Sequence, residues 1–274
     1  LNANETVRSY LGIKESRLDG YHGQSLLVRD LENQEDFIEK RPDKRIIPAS
    51  LSKLFVIDFA SSILDLDEII VPREDVFNLV KEGSSMAGLE EKAYSVENIY
   101  AAMLVPSGND AAYVLADAVG SVLEPEAFSV EERQEVFLKE FNAYLMDQGI
   151  NDTDIYDPSG YDDKSRTTTK DLVKVTQRLL EHDWFRSMVK QSTYVATLPD
   201  GSIETWKNTN IYLDEDNEDY YNPGVKGVKT GSLNEAYNLV VLYEHQGKEF
   251  LIISLGSDAN MSRYDDVFYV IDEI

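Results

Sequence analysis

An α+β fold is what this sequence predicts: an antiparallel sheet built from both chain ends, flanked by helices, with a large all-helical lobe inserted between its halves. Three observations carry the prediction. Two strand-like runs lie near the start, a long middle stretch has helical apolar spacing, and strand-sized apolar runs return near the end before a last amphipathic segment. The expected sheet lobe takes about residues 1–48 plus 200–274 and the helical lobe about residues 49–199, within one domain covering residues 1–274.

Residues 5–18 read as a short helix. The runs "QSLLVRD" (24–30) and "DFIEKRP" (36–42) follow as two strands with a polar turn between them, which makes a hairpin. The next helix is expected over 50–65. Pro48 suits its entrance because its φ is already fixed near the helical value, and Leu51, Leu54, Phe55, Ile57 and Ala60 keep returning to one face. From Phe55 to Leu64 almost every position is apolar or small, so this helix should be buried on most sides. Helical spacing continues through "SVENIYAAML" (95–104), "NDAAYVLADAVG" (109–120), "VEERQEVFLKEFNAYLMDQG" (130–149) and "TTKDLVKVTQRLLEH" (168–182). Strands return at "GVKGVKTG" (224–231), "YNLVVLYEH" (237–245) and "KEFLIISLG" (248–256), the last two joined by "HQGK", before the helix "SRYDDVFYVIDEI" (262–274).

Composition narrows the function. The 26 Lys plus Arg against 51 Asp plus Glu give a net charge of −25, which argues against a nucleic-acid partner or an anionic membrane surface. The apolar runs at Leu239–Leu242 and Phe250–Leu255 are too short to span a bilayer. With no cysteine there is neither disulfide nor thiol chemistry, which is compatible with an oxidising exterior. The chain opens on Leu1 without a basic-then-apolar leader, so we expect a trimmed chain whose targeting segment has been removed.

The segment "IPASLSKLF" (46–54) sets Ser50 three residues ahead of Lys53 at the mouth of the apolar helix. Positions i and i+3 share a helix face at roughly 5–6 Å between Cβ atoms, so the amine reaches the hydroxyl. A lysine base must lose its proton near neutrality, a shift of about three units from 10.4, which burial and a neighbouring cation supply. A second S-x-x-K occurs at Ser187–Lys190, but it lacks the Pro-Ala entrance and an apolar helix behind it. His22, His182 and His245 lie at element ends or turns and make poor bases for Ser50. Two further stretches then acquire meaning: Ser107-Gly108-Asn109 before a helix, and Lys229-Thr230-Gly231 on a strand. Either alone reads as a helix cap or an exposed strand lysine. Three patterns in this order, on suitable elements, read as one site.

Those three motifs, S-x-x-K, S-x-N and K-T-G, make the chain similar to the serine penicillin-recognising enzymes, and most of all to the D-alanyl-D-alanine carboxypeptidases. The likeness covers about residues 22–274 and includes "SSMAGLEEKAYSVENIYAAMLVPSGNDAAYVLADAVG", "DPSGYDDKSRTTTKDLVKVTQRLL", Asn208–Asn210 and "SRYDDVFYVI". Leu51-Ser52 stands where the group often has Met-Thr, Ser232 follows K-T-G where a bulkier residue is frequent, and residues 121–131 look like an insertion. The resemblance implies Ser50 as nucleophile, Lys53 as its base and Ser107 as a proton relay to the leaving amine. It implies Asn109 orienting Lys53 and the substrate amide, and Lys229 supplying the nearby cation that lowers the Lys53 pKa. Lys229, Thr230 and Arg263 would hold a substrate carboxylate, Gly231 would let substrate lie along the strand edge, and the Ser50 and Ser232 amides would form the oxyanion hole. The implied substrate is a peptidoglycan stem peptide ending in D-Ala-D-Ala, with β-lactam antibiotics as covalent inhibitors, no cofactor or metal, and a place of action outside the cytoplasm. Alternatives are a serine β-lactamase and a non-catalytic penicillin-binding sensor. The first would need a deacylating glutamate, typically within E-x-x-L-N, and no such string lies between Ser107 and Lys229. The second would normally be tethered to membrane helices.

Overall fold

A computed structural model describes Leu18 and residues 20–274; the helix expected over residues 5–18 lies outside the described residues except for Leu18. The expected hairpin is strands β1 (Ser25–Asp30) and β2 (Glu35–Lys40). A single 3₁₀ turn, Ala49–Leu51, then leads into helix α1 (Ser52–Ala60). Two-residue strands β3 (Ile69–Ile70) and β4 (Tyr94–Ser95) flank the short helix α2 (Glu74–Phe77). The helical lobe continues with α3 (Val96–Leu104), α4 (Asn109–Leu123), α5 (Val130–Asp147), α6 (Thr169–Leu180) and α7 (Asp183–Val189). A hairpin that the sequence reading leaves out, β5 (Thr193–Thr197) with β6 (Ile203–Lys207), precedes β7 (Val225–Leu233), β8 (Ala236–His245), β9 (Lys248–Ser257) and helix α8 (Ser262–Ile271).

The main sheet is antiparallel in the order β2-β1-β9-β8-β7, so the first and last strands of the chain pair directly, with Leu27 opposite Ile253. Both faces are covered, which explains why its inner strands read as unbroken apolar runs. Leu26, Val28, Leu239, Val241 and Ile252 pack on α8 through Tyr264, Val267 and Val270. Their alternates Leu27, Val240, Leu242, Leu251 and Ile253 join the larger core of the helical lobe.

Helix α1 is the axis of that lobe. All nine of its residues are buried, as the apolar run from Phe55 predicts. Its one buried acid, Asp58, accepts from Arg178 of α6 at 2.5 Å and from the Tyr144 hydroxyl of α5 at 3.0 Å, so the charge is paired as burial demands. The helix ends at Ala60, short of the expected residue 65, because Ser61 and Ser62 turn their hydroxyls onto the carbonyls of Asp58 and Phe59. Capping boxes start α3 (Ser95 with Asn98) and α5 (Ser129 with Glu132) where the sequence places helix starts. Among the described residues no helix is long and apolar enough to cross a membrane.

Candidate active site

Four segments meet at one end of α1. The 3₁₀ turn carries Ser50, α1 carries Lys53, the α3–α4 junction carries Ser107 and Asn109, and the edge strand β7 carries Lys229 to Ser232. Ser50 therefore precedes the α-helix in a tighter turn instead of lying in its first turn as expected. Ala49 beside it has φ +51, a region costly for a residue with a Cβ, and its neighbours hold it there. Asn238 of β8 donates from Nδ2 to the carbonyls of Ile47 (2.9 Å) and Pro48 (3.1 Å), and its Oδ1 accepts from Gly256 N at 2.9 Å. A Cβ at Gly231 would stand 2.7 Å from Pro48 O and 3.1 Å from Leu51 N. Gly231 thus lets β7 press directly on the nucleophile turn, a requirement of the protein's own packing in addition to any room it leaves for substrate.

Lys53 is completely buried. Its Nζ lies 3.0 Å from Ser50 Oγ, 2.7 Å from Asn109 Oδ1 and 2.8 Å from the Ser159 carbonyl oxygen. Asn109 Oδ1 and Ser159 O can only accept, so two N–H bonds are committed to them and the third direction of the nitrogen faces the Ser50 hydroxyl. In the neutral amine that direction is the lone pair. Burial pushes the Lys53 ammonium down to about 7, against the opposing pull of Asp157 and then Asp110. Lys229 is likewise pushed well below the usual lysine range, by its burial first and then by the like charges of Lys53 and Arg263, and repulsion between two like charges acts on both partners.

Ser107 is also buried, with φ +64, and its Oγ has no hydrogen-bond partner among the described residues. A hydroxyl left unpaired in such a place is available to a bound group. Gly108 between Ser107 and Asn109 admits no side chain, since a Cβ would lie 2.6 Å from Ala87 Cβ and 2.9 Å from Ala102 O. Asp110 fastens the junction by accepting from the amides of Ala87, Gly88 and Leu89 at 2.8–2.9 Å. Thr230 shares a 2.6 Å hydroxyl contact with Thr209, and Lys229 Nζ donates to Thr230 O at 3.0 Å. Arg263 of α8 is 6% exposed; its Nη1 donates to Ser232 Oγ at 2.8 Å and its Nη2 to Asn260 Oδ1 at 2.6 Å, so it reaches β7 from beneath. The other S-x-x-K pair is elsewhere: Ser187 and Lys190 lie exposed at the end of α7.

Two groups were not singled out from the sequence. The 157–162 loop delivers the Ser159 carbonyl to Lys53, and its Gly160 (φ +83) packs where a Cβ would meet Ala49 O at 1.9 Å. Asn238 steadies the turn that holds Ser50. A cavity of about 380 Å³, lined by Tyr161 to Lys164, Leu233 and Asn234, opens where this loop meets the end of β7. The arrangement offers a hydroxyl nucleophile, a buried amine near neutrality and, on the free edge of β7, a strand for an extended peptide.

Comparison with known proteins gives a consistent picture. The sequence model of the D-alanyl-D-alanine carboxypeptidase family matches residues 14–259. A D-alanyl-D-alanine carboxypeptidase of Streptomyces sp. strain K15 is 33% identical over 180 residues, 63% of this chain and 58% of that protein's own length. One of Mycobacterium tuberculosis is 24% identical over 235 residues, 85% of this chain and 74% of the relative. Among solved structures, the Streptomyces K15 DD-transpeptidase superposes with a TM-score of 0.80 at 27% identity, covering 92% of this chain and 96% of that one. Penicillin-binding protein D2 of Listeria monocytogenes, in its ampicillin-bound form, gives 0.70 at 25% identity, covering 92% and 97%.

Proposed function

The chain belongs to the D-alanyl-D-alanine carboxypeptidase family, and on that premise we propose that it is a serine D-Ala-D-Ala carboxypeptidase that works through an acyl-enzyme on Ser50. The observation that carries the assignment of roles is the 3.0 Å approach of a fully buried Lys53 Nζ to the Ser50 hydroxyl, with the other two positions of the amine satisfied. Ser50 Oγ attacks the carbonyl of the scissile D-Ala-D-Ala bond and gives its proton to neutral Lys53. The Ser50 and Ser232 amides receive the developing oxyanion. As the C–N bond breaks, the Ser107 hydroxyl gives its proton to the leaving amine and takes in its place the one Lys53 received, so D-alanine departs, Lys53 is neutral again and an ester remains on Ser50. Water activated by Lys53 or Ser107 then hydrolyses the ester and restores both groups.

The substrate stem peptide lies along the edge of β7, with Asn109 against its amide and Gly231 leaving room for its backbone. Its terminal carboxylate is held by Lys229, Thr230 and Arg263, a cationic pocket that suits a carboxylate. β-Lactams occupy the same place and acylate Ser50. The enzyme acts outside the cytoplasm, at the envelope or secreted, where trimming stem peptides contributes to cell shape. Incubation with a peptide ending in D-Ala-D-Ala should release free D-alanine catalytically and should stop in Ser50→Ala. Penicillin labelling without any D-alanine release would instead indicate a binding module, and rapid penicillin hydrolysis with intact peptide a β-lactamase.

A further inference from the structure

The loop at 157–162 does more than close the site. Asp157 is 9% exposed, and its carboxylate is the centre on which the loop is wound. Oδ1 accepts from Ser159 N (2.8 Å), Ser159 Oγ (2.5 Å) and Gly160 N (3.0 Å), and Oδ2 accepts from Asp162 N (2.6 Å). Among the described residues it forms no ion pair with any cation. The same loop sends the Ser159 carbonyl, one residue beyond Pro158, onto Lys53 Nζ at 2.8 Å.

We propose that Asp157 is a positioning residue for Lys53: its carboxylate winds the loop that aims the Ser159 carbonyl at the amine, and it brings an acid without an ion-pair partner into the surroundings of that amine. This rests on the reading of Lys53 as the base of Ser50. The other charged groups around Lys53 differ in kind. Asp110 on α4 is likewise held by amides, those of Ala87 to Leu89, but that segment aims no group at Lys53; Lys229 on β7 is a like charge, and Asp58 farther along α1 is neutralised by Arg178. Tyr113 on α4 is neutral, its hydroxyl raised far above its usual range by burial first and by Asp157 next. Asp157 is the strongest of the charges that favour the Lys53 ammonium, ahead of Asp110. Burial and the Asp157 charge together therefore balance two needs at Lys53: an amine neutral enough to take the Ser50 proton, and basic enough to take it well.

The test is the pH dependence of acylation by a labelled penicillin in wild type and D157N. Asn keeps the Oδ1 acceptor, and hence three of the four loop bonds, while removing the charge. The acid limb of the acylation rate should move to lower pH by roughly half a unit or more, and the plateau should fall. A uniform loss at all pH values, with the midpoint unmoved, would overturn the proposal and leave Asp157 a merely structural residue. If D157N does not fold, D157S supplies a short hydroxyl acceptor without charge and carries the same readout. Wild-type protein that never acylates would sink the carboxypeptidase reading itself, an outcome distinct from acylation with an unmoved midpoint.

Discussion

Replacing Lys53 by Met should abolish acylation, and the stability of the variant relative to wild type should depend on pH in a direction fixed by the burial of the amine. The unfolded chain takes up the Lys53 proton near pH 10.5, the folded protein only near 7. Between those values the unfolded state binds more protons, so wild-type stability rises with pH; below about 7 both states are protonated and the full penalty applies. A separation of about 3.5 units amounts to about 5 kcal/mol, of which about 3 kcal/mol is relieved between roughly pH 6 and pH 9.5. Met matches the lysine stem in shape but carries no charge. It also strands Asn109 Oδ1 and Ser159 O, a cost of about 1–3 kcal/mol for each acceptor that does not change with pH. That cost sets the absolute difference between the two proteins and leaves its pH slope untouched. Removing the Lys53 charge also relieves Lys229, which adds to the slope in the same direction. Urea unfolding of wild type and K53M across this range is the assay. The stability of K53M relative to wild type should fall by about 3 kcal/mol from the acid to the alkaline end. A difference that stays constant with pH would refute the reasoning, because it would mean that folding does not disfavour the charged form of Lys53.

Further outcomes are expected from the same geometry. Arg263→Ala should cut peptide turnover at least tenfold in a folded protein, since each charged hydrogen bond to a carboxylate contributes roughly 1.5–3 kcal/mol; unchanged steady-state turnover would remove Arg263 from the site. Asn238→Ala should leave the carbonyls of Ile47 and Pro48 unpaired, cost about 1–3 kcal/mol in thermal unfolding and slow acylation, whereas a stable and fully active variant would show that the nucleophile turn needs no such anchor. The penicilloyl adduct should persist for minutes or longer in time-resolved mass spectrometry, because the opened ring stays attached where water must enter; clearance within about a second with peptide left intact would indicate a β-lactamase.

Much of the fold was legible because its signals are local. The β1 and β9 runs are apolar at consecutive positions, which only a sheet covered on both faces explains, and the capping serines Ser95 and Ser129 stand where their helices begin. The β5–β6 hairpin escaped although Asp200-Gly201 marks its turn, since its strands are short and follow a helix without a break in composition. Helix α7 is only seven residues long and buries three of them, too little periodicity to read. In the site, side chains with characteristic spacing were readable: Ser50 with Lys53, Ser107 with Asn109, and Lys229 with Thr230 and Gly231. The contact from Ser159 was not, because a backbone carbonyl is common to every residue and only the folded loop aims it. Asn238 likewise looks like any polar residue in a strand until its partner turn, some 190 positions away in sequence, is brought beside it. The charge balance around Lys53 was read only in part, since it needs the burial of each group and the positions of Asp157 and Asp110 as well as the presence of a second lysine.

The identity of the acylated residue decides the mechanism most directly. Protein treated with penicillin, digested and mapped by mass spectrometry should carry one penicilloyl group, on the peptide containing Ser50, and Ser50→Ala should carry none. An adduct on Ser187, or labelling of Ser50→Ala at the wild-type level, would contradict it.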